Sequence, residues 1–519
     1  MGYSRLQKSV LLLIISSIAL SAGAQQEKAP AVDDSSLTVR STTHMVVLDV
    51  VVAKQRGSTI DSLPESSFTV LEDGVPQKIV SFEAPAAHYR KAQVESSPRT
   101  IVVIDELNTD PINGARARQA AKRFFAGQRT YLQQPMALLV LSNHGLMLLQ
   151  GYTRDPRILA DVIARHKPEL PWHLMHDNTT QGAGWRFGMM VRALEEIAQA
   201  SVNRQSRKNV IWMSTGYPVL SLDHMFSSEV DKLNTLITDL SKMLMEARIS
   251  VYTIDPEGIS GEREYTPAGG SPFGFFSESN LVSGDLIFER IGPETGGRVC
   301  RLRNDLADCI RDDAVDGAMY YTLAYYPSNK DWNGKFRRIS VKVDRPDADA
   351  RTRLGYFAIS DPEQVTDEQI DFSLSLAVRN PISYTAIPLT ASGKHLADPK
   401  QAELTVKVDR SALTWSKADD GGLRTEITVV TASLNRDDKV LGYKVREFEM
   451  KVPKGKRPNF KEIPMTLRVP VEVPAKASRI RCVVRDAQNE HLGTIDLEAS
   501  TLTAMTLSEP ESEAASRTN

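Results

Sequence analysis

The chain has 519 residues, of which 41% are hydrophobic and 25% are charged, so it is long enough for two or three separate hydrophobic cores. This composition excludes a chain that is disordered throughout. The formal net charge is −2, which excludes an overall basic surplus, and we therefore expect neither nucleic acid nor an anionic membrane surface as the main partner.

The N-terminus has the pattern of an export signal. Arg5 and Lys8 precede an apolar run from Val10 to Leu20, which is followed by Ala22-Gly23-Ala24. This pattern predicts a signal peptide over residues 1–24, cleaved near Gln25, and a flexible lead over residues 25–36. The apolar run is shorter than the roughly 20 residues that a membrane-spanning helix needs. We therefore expect an exported protein, periplasmic or secreted, with no transmembrane anchor after cleavage.

Residues 37–98 have the pattern of a small β unit. The stretch "MVVLDVVVAKQRG" alternates into a turn, and "SFTVLEDGVPQKIVSFE" predicts two strands joined through Asp73-Gly74, a strong hairpin signal. This unit is too small for a large core of its own, so we expect it to pack on the segment that follows.

Residues 99–360 predict an α/β domain. Short apolar runs alternate with helical segments up to about Pro327, which favours a doubly wound, mostly parallel sheet covered on both faces. Only Ser142 to Gly145 separate "MALLVL" from "LMLLQGY", and four residues cannot hold a crossover helix. We therefore predict an antiparallel edge hairpin there. The strands "YYTLAYYPS" and "GKFRRISVKVDRP" are predicted to finish this domain as a terminal β extension.

The C-terminal part of the chain predicts a second β region. Thr366 and Gln369 have the spacing of a capping box for a helix in a connector over residues 361–386. Short alternating strands over residues 387–503 favour a β-sandwich. Residues 504–519 are poor in apolar side chains and are predicted to be disordered.

Oxygen-bearing side chains follow several strands of the predicted sheet at the point where each strand ends. Asp105 ends "TIVVID", Ser214 and Thr215 end "NVIWMSTG", and Asp255 ends "ISVYTID". Because the carboxyl ends of parallel strands meet at one edge, we predict a binding rim there. The alternative role for Asp105 is a cap that accepts backbone N–H groups. The predicted rim residues are Asp105, Asn108, Thr109, Thr179, Thr180, Ser214, Thr215 and Asp255.

These residues and the order of elements resemble von Willebrand factor type A (VWFA) domains. In that family an Asp-x-Ser-x-Ser motif after a strand, a loop threonine and a later aspartate form a metal-ion-dependent adhesion site. The stretches "FTVLEDGVPQKIVSF", "RKNVIWMSTGYP", "YTIDPEG" and "TGGRV" are similar to the VWFA-related proteins abundant in Acidobacteria. The resemblance covers roughly Leu37 to Phe357 and implies a VWFA fold and a role in adhesion.

The metal ligands of that family transfer only in part. Asp105 matches the first motif position and Thr109 the third, but Leu107 stands where the first serine would be. Thr179 or Thr180 matches the loop threonine, and Thr215 stands where a second acid is expected. The resemblance therefore implies a degenerate site, with Asp105, Thr109 and Thr179 as ligands, that binds Mg²⁺ or Mn²⁺ weakly. Glu106, Asp110 or Asp255 could compensate for the missing ligands.

Three further groups of residues have chemistry of interest. Cys300 and Cys309 are close enough in the sequence to form a disulfide in an oxidising compartment, whereas Cys482 lies far away. The alternative is that all three are buried thiols.

The stretch "WHLMHD" places His173 and His176 three residues apart beside Asp177, which fits a metal pair or, more simply, exposed loop histidines. The stretch from Gly258 to Asn280 contains Phe273, Phe275 and Phe276, which form either an exposed contact surface or a tucked cluster.

The functional hypothesis is an exported, non-enzymatic module for protein binding or adhesion, with a protein or another envelope macromolecule as its partner. Adhesion rests on the family resemblance and is an analogy. The alternative is a metal-assisted hydrolase of the cell envelope that uses the same rim residues, and it needs a catalytic constellation to which we can assign no residues.

Overall fold

A computed structural model describes residues 45–54, 58–90, 98–168, 180–201, 206–215, 239–259, 291–359, 366–418, 420–454 and 460–502. The predicted signal peptide, flexible lead and C-terminal tail lie outside these residues and stay predictions. The phenylalanines at 273, 275 and 276 and the "WHLMHD" histidines also lie outside them.

The N-terminal β unit contains four strands in the described residues: β1 (Val46–Lys54), β2 (Phe68–Glu72), β3 (Val75–Gln77) and β4 (Ile79–Glu83). β2 and β3 form the predicted hairpin, with Glu72 opposite Val75. Asp73 and Gly74 between them both have positive φ, 48° and 82°. A two-residue turn with positive φ at both positions matches the twist of the flanking strands, so this prediction is confirmed.

The central sheet is mostly parallel. It is built from β5 (Arg99–Asp105), β6 (Met136–Ser142), β7 (Gly145–Thr153), β8 (Lys208–Met213), β9 (Ile249–Ile254) and β10 (Val299–Cys300). Their order across the sheet is β10-β9-β8-β5-β6-β7. β6 and β7 pair antiparallel, with Ser142 opposite Gly145, which confirms the predicted edge hairpin.

Helices cover both faces of this sheet. The helices described are α1 (Ala87–Arg90), α2 (Pro111–Ala126), α3 (Pro156–Arg165), α4 (Thr180–Ser201), α5 (Leu306–Ala318) and α6 (Asp367–Arg379), with further helical residues at 239–246 and 291–294. Ile101 and Val103 of β5 belong to a buried cluster with residues of α4, whereas Val102 and Ile104 pack with α2, α3 and α5. Alternate side chains of a strand point to opposite faces, so a strand buried on both faces must be apolar throughout.

The strands that follow α5 are placed differently from the sequence prediction. They are β11 (Tyr321–Tyr325), β12 (Phe336–Val343), β13 (Ala348–Arg351) and β14 (Gly355–Phe357). They do not extend the central sheet; they pair with the N-terminal strands in two sheets, β13-β1-β11-β4 and β14-β12-β2-β3. Both sheets contribute to one buried cluster, which includes Leu48, Val70 and Leu323. The α/β segment is therefore inserted between two halves of one β module.

The C-terminal region begins with the predicted connector helix, α6. The Thr366 side chain accepts a hydrogen bond from Gln369 N, and the Gln369 side chain accepts one from Thr366 N, which confirms the capping box. One helix face packs on the α/β core through Leu374, Ala377 and Val378. Within the described residues, no helix is long and apolar enough to cross a bilayer.

Two antiparallel sheets follow α6. One contains β15 (Leu389–His395), β16 (Gln401–Val408) and β20 (Met465–Glu472), and the other β17 (Ser416–Lys417), β18 (Leu423–Leu434), β19 (Val440–Val452), β21 (Arg479–Asp486) and β22 (Leu492–Glu498). Leu404 of the first sheet and Val429 and Val484 of the second belong to one buried cluster. Short 3₁₀ turns lie at Glu65–Ser67, Arg410–Ala412, Phe460–Glu462 and Ala499–Thr501.

Candidate functional site at the carboxyl edge of the central sheet

The predicted rim residues that the structure describes lie at one edge of the central sheet. β5, β8 and β9 run parallel, with Ile104 opposite Met213 and Met213 opposite Ile254. Asp105, Ser214 and Asp255 directly follow these three paired residues, so they occupy equivalent positions at the ends of the three strands. Thr179 lies outside the described residues, and Thr180 is described only as the first residue of α4.

Asp105 is fully buried, and its carboxylate is the centre of the rim. Its Oδ1 accepts hydrogen bonds from Leu107 N at 3.2 Å and from Asn108 N at 2.9 Å. Its Oδ2 accepts from Trp212 Nε1 at 3.3 Å and from Ser214 Oγ at 3.1 Å. The Asn108 Nδ2 group donates to both oxygens, at 3.2 and 3.0 Å. The carboxylate therefore holds the loop after β5 against the end of β8.

Burial and hydrogen bonding have opposite effects on the charge of Asp105. Burial raises the pKa of this carboxyl because the charged form loses its hydration. The hydrogen bonds from Asn108, Ser214 and Trp212 lower the pKa, and the net direction is upward from the ordinary value. The donors around the carboxylate compensate for part of the cost of burying it.

Two threonines also connect the loop after β5 to the end of β8 by hydrogen bonds. Thr109 Oγ1 accepts a hydrogen bond from Thr215 N at 3.3 Å, and Thr215 Oγ1 donates to Asn108 O at 3.1 Å. The Asn108 side-chain oxygen is buried and has no hydrogen-bond partner among the described residues. The structure therefore brings Asp105, Asn108, Thr109, Ser214 and Thr215 together in one network, although the sequence suggested ligands rather than mutual partners.

Asp255 belongs to a separate part of the rim. Its Oδ1 accepts from Glu257 N at 2.9 Å, and its Oδ2 lies 3.4 Å from Arg301 Nε.

Asp110 is the N-cap of α2 and accepts hydrogen bonds from Ile112 N and Asn113 N. Asp105 accepts backbone N–H groups of the loop after β5, which is the capping role considered for it in the sequence. Asp110 has the same kind of role at the start of α2.

The described residues of the rim do not fit a divalent metal ion. Both oxygens of Asp105 already accept hydrogen bonds, and Mg²⁺ or Mn²⁺ would require several oxygen ligands free to turn toward the ion. Leu107 is 1% exposed and packs into the core, so it leaves no space for a hydroxyl ligand or a water in its place. Among the described residues, no group of three or more histidine, cysteine or acidic side chains could hold a metal.

A buried ion cluster beside the rim was missed by the sequence analysis. The Glu106 side chain is 1% exposed and contacts Arg118 Nη1 at 2.6 Å and His166 Nε2 at 3.1 Å. Glu106 therefore does not compensate for a missing metal ligand. The local sequence holds no signal for this cluster, because Arg118 lies on α2 and His166 follows α3.

Three large apolar side chains on segments that follow β5, β9 and β10 are exposed to solvent. Ile112 in the first turn of α2, Ile259 after β9 and Leu302 after β10 are 75%, 69% and 60% exposed. Their loops are joined, because Arg116 of α2 donates to Glu257 O at 2.5 Å and Ile259 N donates to Asn304 Oδ1 at 3.2 Å. Leu302 has φ of 56°, a left-handed conformation that is uncommon for a residue other than glycine.

A disulfide anchors one side of this rim. Cys300 of β10 and Cys309 of α5 are joined, with their Cα atoms 6.3 Å apart, and Cys482 is a free, buried thiol in the C-terminal region. Arg301 and Leu302 follow Cys300 directly, so the disulfide holds the segment that carries them.

Removal of this disulfide is expected to destabilise the protein. In the Cys300→Ser/Cys309→Ser double variant, the short loop between the two cysteines is no longer closed in the unfolded state, which should lower the free energy of unfolding by about 2–3 kcal/mol. Urea unfolding of wild type, reduced wild type and double variant measures this. Reduced wild type should match the double variant; equal stability of all three would contradict the prediction.

Comparisons with known proteins give only weak likenesses. A solved VWA domain of SpRpn10 matches with 10% identity and a TM-score of 0.17, over 30% of this chain and 74% of that chain. A β-glucuronidase of Bacteroides uniformis matches with 12% identity and a TM-score of 0.14, over 34% of this chain and 18% of that chain. No protein-family model and no curated protein sequence matches. At these TM-scores neither likeness carries an argument about function.

Proposed function

We propose that this chain is an exported protein-binding module that binds its partner through the rim of a doubly wound, VWFA-like domain, without a metal ion. The chain also carries the β module and a C-terminal β region of two antiparallel sheets. Export agrees with the Cys300–Cys309 disulfide, since structural disulfides persist in oxidising compartments.

The exposed apolar side chains of the rim carry this proposal. Ile112 lies in the first turn of α2, and Ile259 and Leu302 lie in the loops after β9 and β10, at the edge where an open α/β sheet presents its ligand crevice. Exposed apolar side chains gathered at one place are typical of contact surfaces for other proteins.

The geometry of Asp105 weighs against the alternative, a metal-assisted hydrolase. That reaction would need the carboxylate to coordinate a metal ion or to move a proton, and both oxygens are occupied by donors from Asn108, Trp212 and Ser214. The carboxylate instead shapes the surface that carries the apolar side chains.

Partner capture by defined variants tests the proposal. We expect Ile112→Lys/Leu302→Asn to bind the partner captured by wild type from envelope or secreted fractions at least about tenfold more weakly, because apolar anchors at the centre of an interface carry most of its energy. Asparagine tolerates the left-handed conformation at position 302, so the variant should remain folded. The matched control is Phe372→Lys, which changes a side chain of α6 that is 65% exposed. Equal loss in the control, or no loss in the rim variant, would refute a role for the rim.

A further inference from the structure

The loop between β10 and α5 carries part of the rim and is closed by the Cys300–Cys309 disulfide. The two cysteines are nine residues apart in the sequence, and both belong to the same buried cluster. Between them lie Leu302, which is 60% exposed, and Asn304. The position of one apolar side chain of the rim therefore depends on how the two ends of this loop are held.

A short backbone pairing holds the first end of the loop. β10 has two residues and is the last strand of the central sheet, and among the described residues it pairs with β9 alone. Asp255 N continues this pairing with a hydrogen bond to Cys300 O at 2.9 Å. Segments with few backbone hydrogen bonds open locally at low cost. The disulfide therefore adds a covalent connection to α5 where the pairing is short.

Asn304 joins this loop to the turn after β9. Its Oδ1 accepts a hydrogen bond from Ile259 N at 3.2 Å. The two segments are in close contact at Gly258, because a Cβ added to this glycine would lie 2.4 Å from Asn304 Oδ1. Gly258 also has φ of 76°, a conformation that glycine adopts readily. The loop that the disulfide closes therefore supports the backbone of Ile259, which carries a second apolar side chain of the rim.

Two arginines also contact the turn after β9. Arg301 Nε lies 3.4 Å from Asp255 Oδ2, and Arg116 of α2 donates to Glu257 O at 2.5 Å. An arginine can keep such a contact while the backbone shifts, because its long side chain has many rotamers. Asparagine has a short side chain, so the hydrogen bond of Asn304 fixes the distance between the loop and the turn more closely.

We propose that the rim is redox-dependent: the disulfide holds Asn304 against the turn after β9, and reduction releases Leu302 and Ile259 together. This inference rests on the function proposed for the rim. Disulfide formation oxidises the two thiols, which lose two protons and two electrons, and an oxidant that itself carries a disulfide takes these up as it is reduced to two thiols. An oxidising compartment supplies such an exchange. The binding surface would therefore be complete only after export, and a reduced copy would bind the partner more weakly.

Hydrogen exchange of the Ile259 backbone amide tests this link without any partner. We would compare the full chain as oxidised wild type, as wild type refolded with reductant, and as Cys300→Ser/Cys309→Ser. The amide should exchange at least about tenfold faster in the last two forms, because its hydrogen bond opens more often. The amide of Asn108, bound to Asp105 at the same edge of the sheet, is the internal reference and should not change. Equal exchange of the Ile259 amide in all three forms would overturn the inference.

Variants of Asn304 locate the effect. Asn304→Ala removes the acceptor while the disulfide remains, and it should speed exchange of the Ile259 amide about as much as reduction does. Asn304→Asp keeps a side-chain oxygen and should retain the slow exchange. Cys482→Ser changes the buried free thiol and should behave as wild type in both redox states. Slow exchange in Asn304→Ala would refute the role of Asn304, and this variant decides the question if the double serine variant does not fold.

Partner capture separates this inference from the function proposed for the rim. The partner captured by oxidised wild type should bind at least about tenfold more weakly to Asn304→Ala and to the double serine variant. Faster exchange with no loss of binding would show that the rim is not the binding surface, which contradicts the proposed function. Unchanged exchange, with binding lost in Ile112→Lys/Leu302→Asn, would keep the proposed function and refute the redox link.

Discussion

The Asp105→Ala variant is expected to lose about 3–5 kcal/mol of unfolding free energy, because several buried donors lose their acceptor at once. Leu107 N, Asn108 N, Trp212 Nε1 and Ser214 Oγ all donate to this carboxylate in a fully buried site. The loop after β5 would then no longer be held against the end of β8. Denaturant unfolding of the two proteins measures the loss.

Asp110→Ala is the matched control for this variant. Asp110 lies five residues further along, is exposed, and caps α2, so its removal should cost only about 1 kcal/mol. Similar losses in both variants would mean that Asp105 is an ordinary cap rather than the centre of a network.

Metal titration separates the structural role of Asp105 from a role as a ligand. We expect Mg²⁺ and Mn²⁺ to leave the thermal midpoint of the wild type unchanged, since both carboxylate oxygens already have donors. A rise of several degrees at sub-millimolar metal that disappears in Asp105→Ala would show that the loops rearrange to form a metal site, and would restore the adhesion site implied by the family resemblance.

The second large effect is expected for Asp49→Asn. The Asp49 side chain is 10% exposed and is bound by Arg248, and Arg207 and Arg353 lie near enough to interact with its charge. Removing the carboxylate takes away the principal negative charge that faces these buried guanidinium groups, and loss of one partner of a buried ion pair typically costs about 3–5 kcal/mol. Unfolding by urea at neutral pH measures the change.

The pH dependence of this effect has a defined sign. Burial alone would raise the pKa of Asp49, but Arg248 and Arg207 outweigh burial and hold it below the ordinary value of 3.8. A depressed carboxyl pKa contributes stability above the unfolded-state value, and this contribution is lost as the pH falls through the folded-state value. The difference between wild type and Asp49→Asn should therefore be full at neutral pH and should shrink below about pH 4.

Asp347→Asn is the control for this pair. Asp347 binds Arg345 in the same β module, but both side chains are exposed to solvent, so little change is expected. If Asp49→Asn were equally mild, the contact between the β module and the central sheet would not depend on this ion pair.

Patterns within a few residues were enough to predict several local features. The Asp73-Gly74 hairpin, the edge hairpin of β6 and β7 and the capping box of α6 all depend on backbone geometry or hydrogen bonds between residues close in the chain. The meeting of Asp105 with Ser214, and of Asn108 with Thr215, was also predictable, because parallel strands bring their carboxyl ends to one edge.

Only the tertiary structure decided the roles of those residues and the division into modules. The pairing of β1 with β11, across the whole α/β segment, cannot be read from alternation, since any amphipathic strand would have the same pattern. Leu107 and Asp105 look like parts of a broken metal motif in the sequence, but burial makes one a core side chain and the other an acceptor for its neighbours. The chain by itself determined which elements form. The packing of segments far apart in the chain decided which donors and charges contact each other, because burial and charge compensation depend on every neighbour in space.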